Sequence, residues 1–233
     1  MRLHRFVLND SFTNKYIRIL DGKLLNQWVR VLRLRPGDEV VLINGQNQEA
    51  LVKIIDLNND FAEGEILKVQ ENQNEPKKEV ILYCAILKKE NFELVAQKAT
   101  EVGVKEIVPL ITQRTVKLNI NHERLEKICQ EAAEQSGRGI IPLVNNPITF
   151  EEAINFAQNN ELNCLFDPEG QNLSKSFIKG KNKIGIFIGP EGGWTEEEIA
   201  LAKRNNFKIL TLGKLILRAE TAAIIAPYLI INL

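Results

Sequence analysis

From Glu79 to Leu87 the chain is an almost unbroken apolar run, and directly after it the apolar residues change period. Phe92, Val95, Ala96, Ala99 and Val102 recur at helical spacing until Gly103 stops the pattern. A strand that is apolar at successive positions is one buried on both faces, because neighbouring side chains point to opposite sides. The alternation then repeats. Glu106 to Ile111 reads as a strand, and Leu125, Ile128, Cys129 and Ala132 mark a second helix ending near Gly137. Leu162 to Phe166, Lys183 to Ile188 and Lys208 to Leu212 read as further strands. Strands alternating with helices predict an α/β fold built on a mainly parallel sheet.

The first third of the chain reads differently. Asp38 to Ile43, Ala50 to Leu57 and Phe61 to Val69 are short strand-like runs separated by turns, with Pro36-Gly37-Asp38 as a turn signal. Between the two parts lies Gln70 to Lys78, which is polar, lacks apolar periodicity and contains Pro76. The expected organisation is a β-rich domain over residues 1–70, a linker over 71–78 and an α/β domain over 79–233. With 233 residues there is enough chain for two cores.

Several classes are disfavoured early. Cys84, Cys129 and Cys164 are far apart, no CxxC occurs, and the only histidines are His4 and His122. Buried reduced thiols are expected rather than a zinc site or disulfide framework, and no metal is called for. No uncharged apolar run approaches the roughly 18 residues that span a bilayer, and no apolar leader follows Met1. A cytoplasmic protein is expected. The formal net charge of zero supplies no global field toward nucleic acid, so any such partner must be held by local patches.

The segment best suited to chemistry runs from Ile184 to Ile199. A buried strand enters Gly189-Pro190-Glu191-Gly192-Gly193, and Thr195 with Glu198 then forms a capping box that starts a helix. Glycines let backbone approach a ligand closely, and loops beyond the carboxyl ends of parallel strands are where α/β sheets place ligands. The spacing fits neither a nucleotide P-loop nor a dinucleotide fingerprint. A second segment, Leu210 to Ala223, ends a strand at Gly213 and places Arg218 and Glu220 between apolar flanks before a helix. The competing readings are a plain tight turn for the first segment and a structural ion pair for the second.

Together these two segments resemble the SPOUT methyltransferases. Gln97 to Val104 and Glu131 to Arg138 narrow the likeness to the ribosomal small subunit methyltransferase E family, and Val31 to Asp38 matches that family's N-terminal domain. The likeness runs from about Arg2 to Ala223. It departs at Trp194, where phenylalanine is expected, at Gln113 and Thr115 (glutamate and serine), and at Ala219 (threonine).

The resemblance implies a PUA-like β-barrel followed by a SPOUT domain with a deep trefoil knot. It further implies a homodimer that uses S-adenosylmethionine (SAM) to methylate N3 of a uridine in the decoding region of 16S rRNA, on the assembled 30S subunit. Carried over, SAM would be held by Ile188, Gly189, Pro190, Glu191, Gly192, Gly193, Leu212, Gly213, Leu217, Arg218, Thr221 and Ala222. For the chemistry of the transfer itself, Arg218 is the candidate to hold charge developing on uracil O2 or O4, and Glu220 or Glu191 to orient it or accept the N3 proton, with Arg218 as stabiliser and Glu220 as orienter favoured. Pro227 falls inside the last helix, where it removes a backbone hydrogen bond and is expected to kink it.

RNA needs positive charge, and residues 1 to 40 carry eight Lys or Arg against four acids, a local balance of +4. Arg2, Arg5, Arg30, Arg33 and Arg35 are the candidate phosphate contacts of the first domain, although the same pattern also describes a solvated charged face. Arg114 and Arg138 are the candidates for guiding RNA toward the pocket. Two other readings stand beside this one: the same enzyme class acting on tRNA or large-subunit rRNA, and a ribosome assembly factor with a vestigial SAM pocket.

Overall fold

The computed structural model describes residues 3–88, 90–116 and 119–233. They form two compact units, one comprising the chain up to Glu75 together with Ala133–Ile140, the other Pro76–Ala132 with Ile141–Leu233.

In the first unit, strands β1 (Arg5–Val7) and β2 (Tyr16–Ile19) precede helix α1 (Gly22–Asn26), and β3 (Glu39–Ile43), β4 (Gln48–Leu57) and β5 (Ala62–Glu71) follow. They form one sheet in the order β1-β3-β4-β5-β2, antiparallel except for the β1–β3 pair. Asp21 starts α1, its carboxylate accepting from Lys23 N and Leu24 N at 2.8 and 3.0 Å. The helix continues as a π-helical turn, Gln27–Leu32, that sends Trp28 into the core against Phe6. Strands of three and four residues carry too little pattern to be read, so β1 and β2 escape the sequence.

The polar run read as a linker is built into this unit as far as Glu75. Strand β5 reaches Glu71, and Asn72 is only 4% exposed. Its Nδ2 donates to Glu49 Oε2 (2.9 Å) and to the Gly137 carbonyl (3.0 Å). The Glu75 carboxylate accepts from Arg138 Nη2 (2.8 Å), Gly139 N (2.9 Å) and Ile140 N (3.0 Å). Buried polar groups require such partners, so Asn72 and Glu75 are polar because they satisfy a returning segment of chain, while Gln70, Glu71, Gln73 and Lys77 are exposed.

In the second unit the strands are β6 (Glu79–Ala85), β7 (Glu106–Ile111), β8 (Leu143–Val144), β9 (Ile148–Thr149), β10 (Leu162–Asn172), β11 (Lys183–Ile188) and β12 (Lys208–Thr211). Between and after them run α2 (Asn91–Val102), α3 (His122–Ser136), α4 (Phe150–Phe156), α5 (Lys175–Ile178), α6 (Glu196–Arg204) and α7 (Ala219–Asn232). The sheet has seven strands in the order β12-β10-β11-β6-β7-β8, with β9 also on β7, and every pairing is parallel. Along β6, Val80, Leu82 and Cys84 enter the core that α2 and α7 cover, whereas Ile81 and Tyr83 enter the one that α4 covers. Both faces are covered, which is why β6 is apolar at successive positions. Helix α7 runs through the buried Pro227 to Asn232. All three cysteines are buried free thiols. Among the described residues no helix is long and apolar enough to cross a membrane.

Candidate active site

At the carboxyl ends of β10, β11 and β12 lies a cavity of about 620 Å³. This is where a parallel sheet leaves room for a ligand, because the loops there diverge from the strand ends. Of the residues expected to hold SAM, Ile188, Gly189, Pro190, Glu191, Gly192, Gly193, Leu212, Leu217, Arg218 and Ala222 line it, and so does Glu220. Gly213 and Thr221 do not; Gly213 is instead held by the Thr211 hydroxyl in a turn at φ +132°. Sequence reasoning missed Asn91, Asp167, Pro168, Leu215 and Ile216, which also line the cavity.

The glycine-rich loop is pinned at its carboxyl end. Thr195 Oγ1 accepts from Glu198 N (3.3 Å), and Glu198 Oε2 accepts from Thr195 N (2.9 Å), the expected capping box. Trp194 is buried, and its Nε1 donates to the Phe166 carbonyl at 3.0 Å. A Cβ at Gly189 would come within 3.0 Å of that indole ring. Tryptophan here thus does what phenylalanine could not: it ties the loop to β10 by a hydrogen bond. In the middle of the loop, Gly193 N donates to the Pro190 carbonyl (2.9 Å), and Glu191 Oε1 accepts from Lys88 N (2.9 Å).

Strand β10 supplies the opposite rim through an irregularity. Both Phe166 and Gln171 register with Leu210 of β12, so residues 167–170 bulge out of the ladder. Such bulges re-aim side chains beside sites, and this one presents Asp167 and Pro168 to the cavity. Gly170 closes the bulge where any Cβ would lie 2.4 Å from the Leu210 backbone.

Arg218 is the N-cap residue of α7, and Glu220 sits in its first turn, where the helix dipole favours a carboxylate. Arg218 Nη1 lies 3.9 Å from Glu220 Oε1, but the arginine side chain is 86% exposed and the glutamate 12%. So loose and wet a pair contributes little to stability, which leaves the guanidinium able to meet an incoming group. The charged side chains lining the cavity are Asp167, Glu191, Glu220 and Arg218, an excess of two negative charges. Burial, and after it the charges of Glu191 and Glu220, push the Cys84 thiol well above its ordinary range, so it stays protonated and is no nucleophile. Among the described residues no group of His, Cys, Asp or Glu is placed to hold a metal ion.

The RNA methyltransferase domain family matches residues 73–231, and the RNA methyltransferase PUA domain family matches residues 29–67. The ribosomal RNA small subunit methyltransferase E of Mesomycoplasma hyopneumoniae is 35% identical, over 95% of this chain and 96% of that one. The chain belongs to the ribosomal RNA small subunit methyltransferase E family. The crystal structure of the methyltransferase E of Neisseria gonorrhoeae, bound to S-adenosyl methionine, superposes with a TM-score of 0.87 at 29% identity, covering 97% of this chain and 95% of that one. A methyltransferase of Legionella pneumophila in complex with SAM gives 0.88 at 29% identity, covering 99% and 97%. The expected fold class, a PUA-like domain followed by a parallel α/β methyltransferase domain, is therefore met.

The basic residues proposed to touch RNA in this family member separate into distinct groups. Arg2 lies outside the described residues. Arg30, Arg33 and Arg35 are exposed on and after the π-helical turn, with Arg33 in the left-handed region at φ 55°. Arg5 is half-buried against Glu49 at 2.7 Å. Burial opposes ionisation of Glu49, but hydrogen bonds from Arg5, Gln70 and Asn72 outweigh it and hold the carboxyl below its usual range. Arg138 corrects the expectation: its side chain is 5% exposed and paired with Glu75 at 2.8 Å, so it holds the first unit together and presents no donor to a phosphate. Arg114 is exposed and lies over the glycine-rich loop, its Nη1 donating to the carbonyls of Gly192 (2.7 Å) and Trp194 (3.2 Å).

Proposed function

We propose that this chain transfers the methyl group of SAM to N3 of a uridine in the decoding region of 16S rRNA, acting on the assembled 30S subunit. It does so as a cytoplasmic homodimer whose methyltransferase domain carries a trefoil knot. The observation that carries the reading is the cavity between the glycine-rich loop and the segment from Leu212 to Ala222, at the strand ends where relatives solved with SAM share the fold.

The residues present fit that donor. Ile188, Leu212, Leu217 and Ala222 give apolar walls for an adenine, and the excess of two carboxylates suits a cationic sulfonium. When bound, the donor supplies a methyl carbon open to in-line displacement. The chain's task is to hold the acceptor nitrogen on that line, and positioning of this kind accounts for much of the acceleration such sites achieve. Uracil N3 carries a proton that must leave, to the Glu220 carboxylate or to water, and negative charge then spreads onto O2 and O4. The exposed Arg218 stabilises that charge, and Glu220, the better buried of the two, orients it. Glu191, already engaged by Lys88 N, is left to shape the loop.

Exposed apolar residues support the dimer. Leu215 and Ile216 are 81% and 84% exposed beside the cavity, and Tyr228 is exposed on α7. Exposed apolar side chains of this size favour an interaction surface.

The test is methyl transfer from labelled SAM to 30S subunits lacking the modification, mapped by primer extension. N3-methylation removes the Watson–Crick donor of uracil, so reverse transcriptase stops one nucleotide before it. A stop at a single decoding-region uridine is expected. SAM binding without transfer to 30S subunits or free 16S rRNA would overturn the substrate assignment.

A further inference from the structure

We propose that Arg114 is a positioning residue for the methyl donor: it braces the glycine-rich loop from outside and so sets affinity for SAM, rather than guiding RNA. The inference rests on the reading of the cavity as the SAM pocket.

Strand β7 ends at Ile111, and the turn after it closes on itself. Thr112 N donates to Thr115 Oγ1 (2.9 Å), and Thr115 N donates to the Thr112 carbonyl (3.1 Å). This fixed turn meets the loop at two places. Gln113 N donates to Glu198 Oε1 (3.0 Å), whose other oxygen caps α6. Arg114 Nη1 bridges the carbonyls of Gly192 and Trp194. The aliphatic stem of Arg114 packs on the same loop: a Cβ on Gly192 would lie 3.3 Å from Arg114 Cδ and 3.4 Å from its Cβ. Gly192 thus shows one side to the cavity and the other to Arg114.

The physical consequence follows from what a glycine-rich loop lacks. Gly192 and Gly193 have no side chains to restrict them, and Gly193 already occupies φ +71°. An unbraced loop would have to be ordered when the donor binds, and that ordering subtracts from affinity. A guanidinium joining two of its carbonyls orders it beforehand. Arg114 is exposed, but its Nη1 is committed to two backbone carbonyls of the donor's wall, and it is through them that it acts on SAM.

Calorimetric titration of the full chain with SAM, for wild type, Arg114→Ala and Arg114→Lys, tests this. Arg114→Ala is expected to weaken SAM binding about tenfold or more, since it removes two hydrogen bonds and the stem packing. Arg114→Lys, which keeps the stem and one donor, is expected to fall between. In turnover, KM for SAM should rise by more than kcat falls. With SAM saturating, the salt dependence of binding to 30S subunits lacking the modification should match wild type. SAM affinity within about twofold of wild type, together with a shallower salt slope, would instead make Arg114 a phosphate contact and overturn the proposal. Unchanged SAM affinity with only a lower melting temperature would overturn it as well. Failure of the wild-type chain to bind SAM at all would instead remove the pocket reading itself.

Discussion

The indole Nε1 of Trp194 donates to the carbonyl of Phe166 across 3.0 Å, fastening the glycine-rich loop to the strand beside it. Replacing this tryptophan by phenylalanine leaves a buried carbonyl without its donor and a gap beside Gly189 and Phe150. Trp194→Phe is expected to lower unfolding stability by about 1–3 kcal/mol in urea titrations, with an unchanged denaturant slope. An unshifted midpoint would show that the bond contributes nothing net.

Arg218 and Glu220 divide into an exposed and a shielded partner. If Arg218 stabilises the developing uracil anion, Arg218→Ala keeps SAM affinity and loses turnover by about 10²-fold or more at saturating donor. Calorimetry and single-turnover methylation separate the two quantities. Lost SAM affinity with normal turnover at saturation would contradict the assignment.

Burial pushes the Cys164 thiol up to about 12 from an ordinary 9.0, a shift that the nearby Lys208 opposes. The folded chain therefore keeps a proton that the unfolded chain releases. The stability this contributes is whole below pH 9 and drains away as the pH rises to about 12. Within that window the slope is about 1.4 kcal/mol per pH unit for one thiol. Cys164→Ala should flatten the alkaline fall of the unfolding free energy, read from urea titrations, by that amount. An identical pH profile in the variant would rule the thiol out as its source.

Arg138 and the cluster of Arg30, Arg33 and Arg35 should behave in opposite ways. Arg138→Ala leaves the Glu75 carboxylate buried with its charge partner gone and is expected to cost about 3–5 kcal/mol of stability. Replacing Arg30, Arg33 and Arg35 by alanine should leave unfolding unchanged. It should also reduce the slope of log RNA affinity against log salt by roughly 0.7–0.9 for each phosphate that the chain no longer neutralises. Filter binding over a salt series checks the second claim, and a slope equal to wild type would make the three arginines a merely solvated face.

Much of the second unit could be read directly from the order of residues. The apolar run of β6, the helical spacing of α2 and the Thr195–Glu198 capping box are patterns among near neighbours, which depend on backbone periodicity and local hydrogen bonding. The loop from Gly189 to Gly193 was equally visible, since glycines following a buried strand mark a close backbone approach wherever they occur. Trp194 was legible as a departure, but the bond to Phe166 that makes sense of it spans 28 positions.

Tertiary structure decided where polar groups find partners. Asn72 and Glu75 look like linker residues until Gly137, Arg138 and Gly139 return beside them, and Arg138 looks like a free cation until Glu75 is seen against it. Arg114 is similar: its partners lie 78 and 80 positions away. The cavity likewise draws Asn91 from the first turn of α2 and Asp167 from the bulge of β10, neither marked by a local pattern. The physical reason is one of range. Apolar periodicity is a repeated signal that any short window reports, whereas a buried donor or acceptor must be satisfied by whichever group the fold brings within about 3 Å, and nothing in its own neighbourhood names that group.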